Sequence, residues 1–196
     1  MPFRGSDGKR RLGGAPETRR ALALAMLGDV LAACAVVGET VVVTEDEEAA
    51  GLAEDAGAKA LADPGGGQGT AVVAALSGFE PGPLLVVNAD VPCVVPDDLR
   101  ALLRATPAGG LALVAARDGT TNALSFPAPQ VFAPLYGPDS AARFRAHAAK
   151  LGLQFVAVSV PGLADDVDTA DDLARVGLRA GPRTQAALAR LHRPAA

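Results

Sequence analysis

Tryptophan is absent from the chain, tyrosine occurs once and phenylalanine six times. So few aromatic faces argue against a surface that stacks successive nucleobases, and a net charge of -4 offers no general attraction to a polynucleotide. Histidine is nearly missing as well. His147 and His192 leave little material for a histidine-rich metal site or a nucleophile–histidine pair. The two cysteines, Cys34 and Cys93, have no metal spacing and read as reduced thiols. No apolar run approaches the roughly 18 residues of a membrane span, and the polar, basic opening shows no secretory signal. The expectation is therefore a cytoplasmic protein with no membrane and no nucleic-acid partner. Lysine is scarce beside arginine, alanine and glycine, which is a compositional bias without chemical content.

What the chain does have is a hydrophobic fraction of 49% over 196 residues, enough to bury one real core. Residues 1–176 are assigned to a single domain and residues 177–196 to a basic tail or short, loosely docked helix. Arg4, Lys9, Arg10, Arg11, Arg19 and Arg20 crowd the beginning. In an acidic protein that asymmetry points to a small anionic ligand.

The pattern is built around Leu84-Leu85-Val86-Val87-Asn88-Ala89-Asp90-Val91-Pro92, an apolar run ending in one carboxylate. Four aliphatic residues in a row predict a strand buried on both faces of a parallel sheet, where ligands gather at the carboxyl ends of strands. Before it, Pro16-Glu17-Thr18 opens a helix whose apolar face is Leu22, Met26, Leu27, Val30 and Leu31. A strand at Thr40 to Thr44, a helix from Glu45 to Gly57 and a strand at Ala58 to Ala62 follow. The glycine run Gly65 to Gly69 then hands over to a helix at Ala71 to Leu76. After the central strand come a helix from Pro96, a strand at Gly110 to Ala116 and another at Asn122 to Phe126. Ser140 is placed to cap a helix to Leu151, Gln154 to Val160 forms a last strand, and Thr169 caps a helix carrying Asp171 and Asp172 in its first turn. Alternating elements of this kind predict an α/β fold.

Three features carry chemistry, and each also has an ordinary structural reading. Asp90 ends the central strand, where it could hold a divalent cation or merely cap a turn. Asp166 and Asp168 alternate along an extended segment, so they point the same way; alone they also fit a solvated acidic loop. Gly65 to Gly67 would let backbone N–H groups approach a phosphate or base edge, though the pattern is neither a P-loop nor a dinucleotide fingerprint. Lys9-Arg10-Arg11 could clamp a triphosphate or be a solvated basic end.

Taken in order, Lys-x-Arg-Leu (Lys9 to Leu12), Asp-Pro-Gly-Gly-Gly (Asp63 to Gly67), Ala-Asp-x-Pro (Ala89 to Pro92), Thr-Asn-Ala-Leu (Thr121 to Leu124), Gly-x-x-Ser (Gly137 to Ser140) and Asp-Val-Asp-Thr (Asp166 to Thr169) form a recognisable set. From about Pro2 to Val176 the chain resembles the phosphoenolpyruvate or 2-phospho-L-lactate guanylyltransferases of coenzyme F(420) biosynthesis. The resemblance implies a three-layer α/β sandwich of the nucleotidyltransferase, glycosyltransferase-A-like kind, also seen in nucleotide-diphospho-sugar transferases, with a mostly parallel mixed sheet. It implies GTP as co-substrate and Mg²⁺ as cofactor, held by Asp90, Asp166 and Asp168. Lys9 and Arg11 would face the triphosphate, Gly65, Gly66 and Gly67 the guanosine, and Thr121, Gly137 and Ser140 the phosphorylated three-carbon acceptor. Lys9, Arg11 and Asp90 would then be the catalytic set, in a monomer or homodimer. The arginine-rich composition leans toward phosphoenolpyruvate by analogy with versions from high-GC bacteria.

Two departures stand out. Asn88 and Gly69 occupy positions where that family's pattern has Pro and Asn. The family also begins with a strand before the basic loop, whereas almost nothing here precedes Pro2, so the first strand is expected to be missing or shortened, with the natural start upstream or another segment filling the gap. A molybdopterin guanylyl- or cytidylyltransferase fits less well, since its first loop is glycine-rich where this chain has Gly5-Ser6-Asp7-Gly8-Lys9. A non-catalytic nucleotide-binding homologue is the remaining alternative, and the three retained aspartates speak against it.

Overall fold

A computed structural model of the chain describes residues 1–3, 5 and 11–191; Lys9 lies outside the described residues. The elements run α1 (Pro16–Ala35), β1 (Val41–Val43), α2 (Glu47–Asp55), β2 (Lys59–Leu61), α3 (Gln68–Leu76), β3 (Leu84–Val87), α4 (Pro96–Ala105), β4 (Leu111–Ala115), β5 (Thr121–Phe126), α5 (Ser140–Lys150), β6 (Phe155–Ala157), α6 (Pro161–Ala164), α7 (Ala170–Val176) and α8 (Pro182–Leu191). No described helix is long and apolar enough to cross a membrane.

Alternation along β4 shows how the layers form. Ala112 and Val114 face one side, packing with Val30, Leu99 and Leu163 of α1, α4 and α6. Leu111 and Leu113 face the other, packing with Val72 of α3 and Phe144 of α5. Helices therefore cover both faces of a sheet ordered β3-β5-β4-β6. Each wholly buried aliphatic or aromatic side chain in these layers contributes about 1.5–3 kcal/mol over its exposed state.

Strand direction differs from the expectation at one place. β3 does not lie inside a parallel sheet; it is an edge strand, antiparallel to β5. The cause is local. After β4 the chain turns back at Asp118-Gly119, where Thr120 N–H and hydroxyl both donate to Asp118 Oδ1 and Gly119 takes φ +85. β4 and β5 thus form a hairpin rather than a crossover, and β5 inserts between β3 and β4 with all six residues buried. β4 and β6 are parallel, as are β1 and β2.

Met1–Phe3 form a bridge to β1. Phe3 N–H donates to the Val43 carbonyl, Val43 N–H to the Met1 carbonyl and the Met1 amino group to Val41, at 2.8–2.9 Å. Among the described residues only Pro2 and Val43 pair in parallel outside the strands named above. Among the described residues β1 and β2 remain a separate pair, and an apolar cavity of about 410 Å³ opens between β1 and β3, lined by Met1, Val41, Val43, Leu85 and Val87.

α1 spans the division. Leu24, Leu27 and Leu31 pack with Val42 and Ala49, Val30 and Ala33 with the four-stranded sheet, and Leu22 and Met26 with Val167 and Val176. α8 then pins α1 from outside. Asp29, buried on α1, accepts from the Arg183 and Thr184 backbone N–H groups at 3.0 and 2.8 Å, capping α8 from another helix. α8 is therefore firmly seated on α1, with Thr184 fully buried.

Candidate functional site

Asp90 follows β3, and one backbone bond fixes what faces it. Val167 N–H donates to the Asp90 carbonyl at 3.0 Å. Val167 itself is wholly buried among Leu22, Met26, Cys93 and Val176, so in this extended segment its neighbours Asp166 and Asp168 turn the opposite way. Burial, then the negative charge of Asp90, pushes the Asp166 carboxyl above its ordinary pKa, with Asp168 adding to the effect; Asn122 Nδ2, 3.3 Å from Asp166 Oδ1, opposes it. A partly buried carboxylate whose charge is opposed by two others marks a site that a cation would relieve. Among the described residues no three such groups stand in a finished metal cage. Magnesium does not require one, since it usually takes one or two carboxylates together with substrate phosphates and water, so the donor set fits.

Arg11 Nη2 pairs with Asp168 Oδ2 at 2.9 Å, bringing the described part of the basic loop onto the acidic segment. Next to it, Asp165 gathers three guanidiniums: Arg117 Nε at 3.0 Å, Arg175 Nε at 3.3 Å and Arg179 Nη2 at 2.8 Å. Burial works against the Asp165 charge, but hydrogen bonds from Arg179, Arg117 and Arg175 win and hold the carboxyl below its ordinary range.

Asp90 and Asp168 line a cavity of about 220 Å³ with Pro2, Phe3, Gln68 and Asn88. Gly65, Gly66 and Gly67 are not in its lining but set its wall. Their φ angles of +79, +79 and +109 are a left-handed run open only to glycine at little cost. Gly65 N–H is anchored on Asp63 Oδ1 at 2.8 Å, and the run delivers Gln68 as the first residue of α3, three positions before the expected start. Gly69 lets that first turn approach the following loop closely: a Cβ there would sit 2.6 Å from Pro134 Cβ and 2.8 Å from its Cα.

Thr121, Gly137 and Ser140 also come together. The Thr121 and Ser140 hydroxyls lie 2.9 Å apart, both buried, and Ser140 N–H donates to the Gly137 carbonyl. Ser140 is not the helix cap; Asp139, left-handed at φ +55, holds that position, which frees the serine hydroxyl to point at β5. Asn122 bridges this group to the acidic one through Asp166, and Asn88 donates to the Thr121 carbonyl. Neither thiol is an activated nucleophile: burial pushes Cys34 up to about 11 and Cys93 upward too.

The family model described as "Guanylyl transferase CofC like" matches residues 1–189. The chain belongs to that family. It is 38% identical to a phosphoenolpyruvate guanylyltransferase of Nocardia farcinica, over 92% of this chain and 86% of that one. It is 40% identical to a protein of the same description from Streptomyces scabiei, over 90% and 87%. Among solved structures, a nucleotidyl transferase from Methanothermobacter thermautotroptrophicus superposes with a TM-score of 0.66 over 89% of this chain and 94% of that one at 14% identity, a likeness of fold alone.

Within this CofC-like frame, sequence reasoning missed several groups that the fold brings to the site. Gln68 carries no charge to mark it and Asn88 stands out in the sequence only as a departure from the family pattern, while their contact spans 20 residues. Asn122 was seen only as part of Thr-Asn-Ala-Leu, although a polar residue between buried aliphatics on a strand was a signal. Arg117, Arg175 and Arg179 converge from separate segments, and nothing in their spacing announces it.

Proposed function

We propose that this chain is a Mg²⁺-dependent guanylyltransferase that moves GMP from GTP to the phosphate of phosphoenolpyruvate, or of 2-phospho-L-lactate, releasing pyrophosphate. The observation that carries the reading is the Val167–Asp90 backbone bond, which brings the segment of Asp166 and Asp168 beside the end of β3, with Asp90 and Asp168 lining the 220 Å³ cavity. The names of the CofC-like relatives favour phosphoenolpyruvate as acceptor.

Asp90, Asp166 and Asp168 would hold the metal, which when bound neutralises charge on the phosphate oxygens at the reacting centre. The chain's own residues then have positional tasks. Arg11, paired with Asp168, would face the triphosphate, a task that Lys9, outside the described residues, would share. Thr121, Gly137 and Ser140 hold the acceptor, whose dianionic phosphate attacks the α-phosphorus in line without a protein nucleophile. Asn122 keeps the two halves in register, since its amide reaches Asp166 from the position beside Thr121.

The test is pyrophosphate release with GTP and Mg²⁺ in three arms: phosphoenolpyruvate, 2-phospho-L-lactate and no acceptor. Release that depends on an acceptor is expected, and it names the substrate. None from a folded sample with either acceptor overturns the reading. Asp90→Asn is expected to abolish turnover while leaving the melting transition in place; near-normal turnover would remove the metal-site assignment.

A further inference from the structure

Gln68 and Asn88 hold each other in a single orientation. Asn88 Nδ2 lies 3.1 Å from the Thr121 carbonyl oxygen, which can only accept. That fixes the Asn88 amide, so its Oδ1 is the atom facing Gln68. At 2.7 Å this oxygen takes its proton from Gln68 Nε2, leaving Gln68 Oε1 as an acceptor by elimination. The relay starts from a main-chain oxygen on β5 and cannot be reversed without setting oxygen against oxygen. Asn88 is further held by its own N–H, which donates to the Asn122 carbonyl at 2.9 Å. Both amides line the cavity that Asp90 and Asp168 share.

A lone side-chain amide can turn to present either end to a ligand, but this one cannot. Guanine carries two adjacent donors on its Watson–Crick edge, the N1 imino and the 2-amino group. Hypoxanthine keeps only the imino group, and adenine sets one amino group beside a ring nitrogen that accepts. A fixed acceptor therefore meets two donors on guanine, one on hypoxanthine, and a donor beside a repelling lone pair on adenine.

We propose that Gln68 is the specificity-determining residue for the nucleobase, its Oε1 accepting from guanine, with Asn88 as the positioning residue that holds it so. The proposal rests on reading the cavity as a nucleotide site. Recognition by one neutral acceptor is worth about tenfold in affinity, enough to prefer one base without excluding the others.

The experiment is calorimetric binding of GTP, ITP and ATP, in Mg²⁺, to the full chain and its Gln68→Leu and Asn88→Leu variants, with pyrophosphate release measured in parallel. Gln68→Leu is expected to weaken GTP about tenfold and ITP about threefold while leaving ATP unchanged. Asn88→Leu frees Gln68 to turn, so the preference for GTP over ATP narrows by a similar factor while the fold persists in the melting transition. Equal loss for all three nucleotides, or no loss for GTP, overturns the proposal. Acceptor-dependent release with an unaltered base preference leaves the transferase reading standing and removes the role of Gln68. A GTP preference that Gln68→Leu erases, without release in the parent, does the reverse; no nucleotide binding at all removes both.

Discussion

The four-stranded sheet and the β1–β2 pair are made of similar residues and are held in different ways. In β5 every residue is buried, with a hydrogen-bonded strand on each side and helices over both faces. β1 is three valines with β2 on one side and the bridge from Met1–Phe3 on the other, and beyond that bridge lies the 410 Å³ cavity. Apolar composition alone does not fill a sheet. α1, which packs on both halves, ties the β1 side to the larger sheet.

The contrast can be broken most severely in β5. Phe126→Ala removes a wholly buried ring, 5.7 Å from Phe132 between centroids, and is expected to cost about 3–5 kcal/mol in chemical denaturation. A loss below about 1 kcal/mol would mean that the four-stranded side is no better filled than the other. Asp29→Ala strikes the junction of α1 with α8, because α8 loses the carboxylate that caps its first turn. About 1–3 kcal/mol should disappear, with α8 amides losing hydrogen-exchange protection before those of β4. Ala123→Leu and Ala75→Leu sharpen the comparison by sign. Ala123 is sealed within β5 and should lose about 1–3 kcal/mol on enlargement, whereas Ala75 lines the cavity and should gain about 0.5–2 kcal/mol. Equal costs at both positions would show that the cavity closes in solution.

The smallest effect belongs to α7, on the filled side. Burial opposes the Asp172 charge, but hydrogen bonds from Thr169, Arg175 and the backbone N–H groups of Asp168 and Thr169 hold its carboxyl at about 2, against an ordinary 3.8. A depressed carboxylate contributes stability above the unfolded value and loses it as pH falls through the folded one. Asp172→Asn should therefore cost about 1 kcal/mol at neutral pH and almost nothing near pH 2, read from paired denaturation curves. A cost unchanged across that range would assign the effect to shape rather than charge.

Much of this organisation was legible in the sequence because it is local. The α1 face, the β3 run and the Thr169 cap each declare themselves within a few residues, and Asp166 and Asp168 could be read as facing one way because a valine separates them. Direction and pairing were not legible in the same way. An apolar run does not say whether its strand is central or at an edge, so β3 was placed within a parallel sheet, and a short turn between two strands can close a hairpin or lead elsewhere. The Asp29 cap of α8 joins positions 154 residues apart, and Gln68 meets Asn88 only after the glycine run and β3 have both been placed.

The contact between Gly69 and Pro134 also limits what α3 can carry. The loop that follows β5 leads to Gly137 and Ser140, and at Pro134 it rests against the first turn of α3 with no space for even a methyl group. Any side chain at position 69 would therefore push apart the helix that begins at Gln68 and the loop that leads to Ser140, so one missing Cβ sets the spacing between the two.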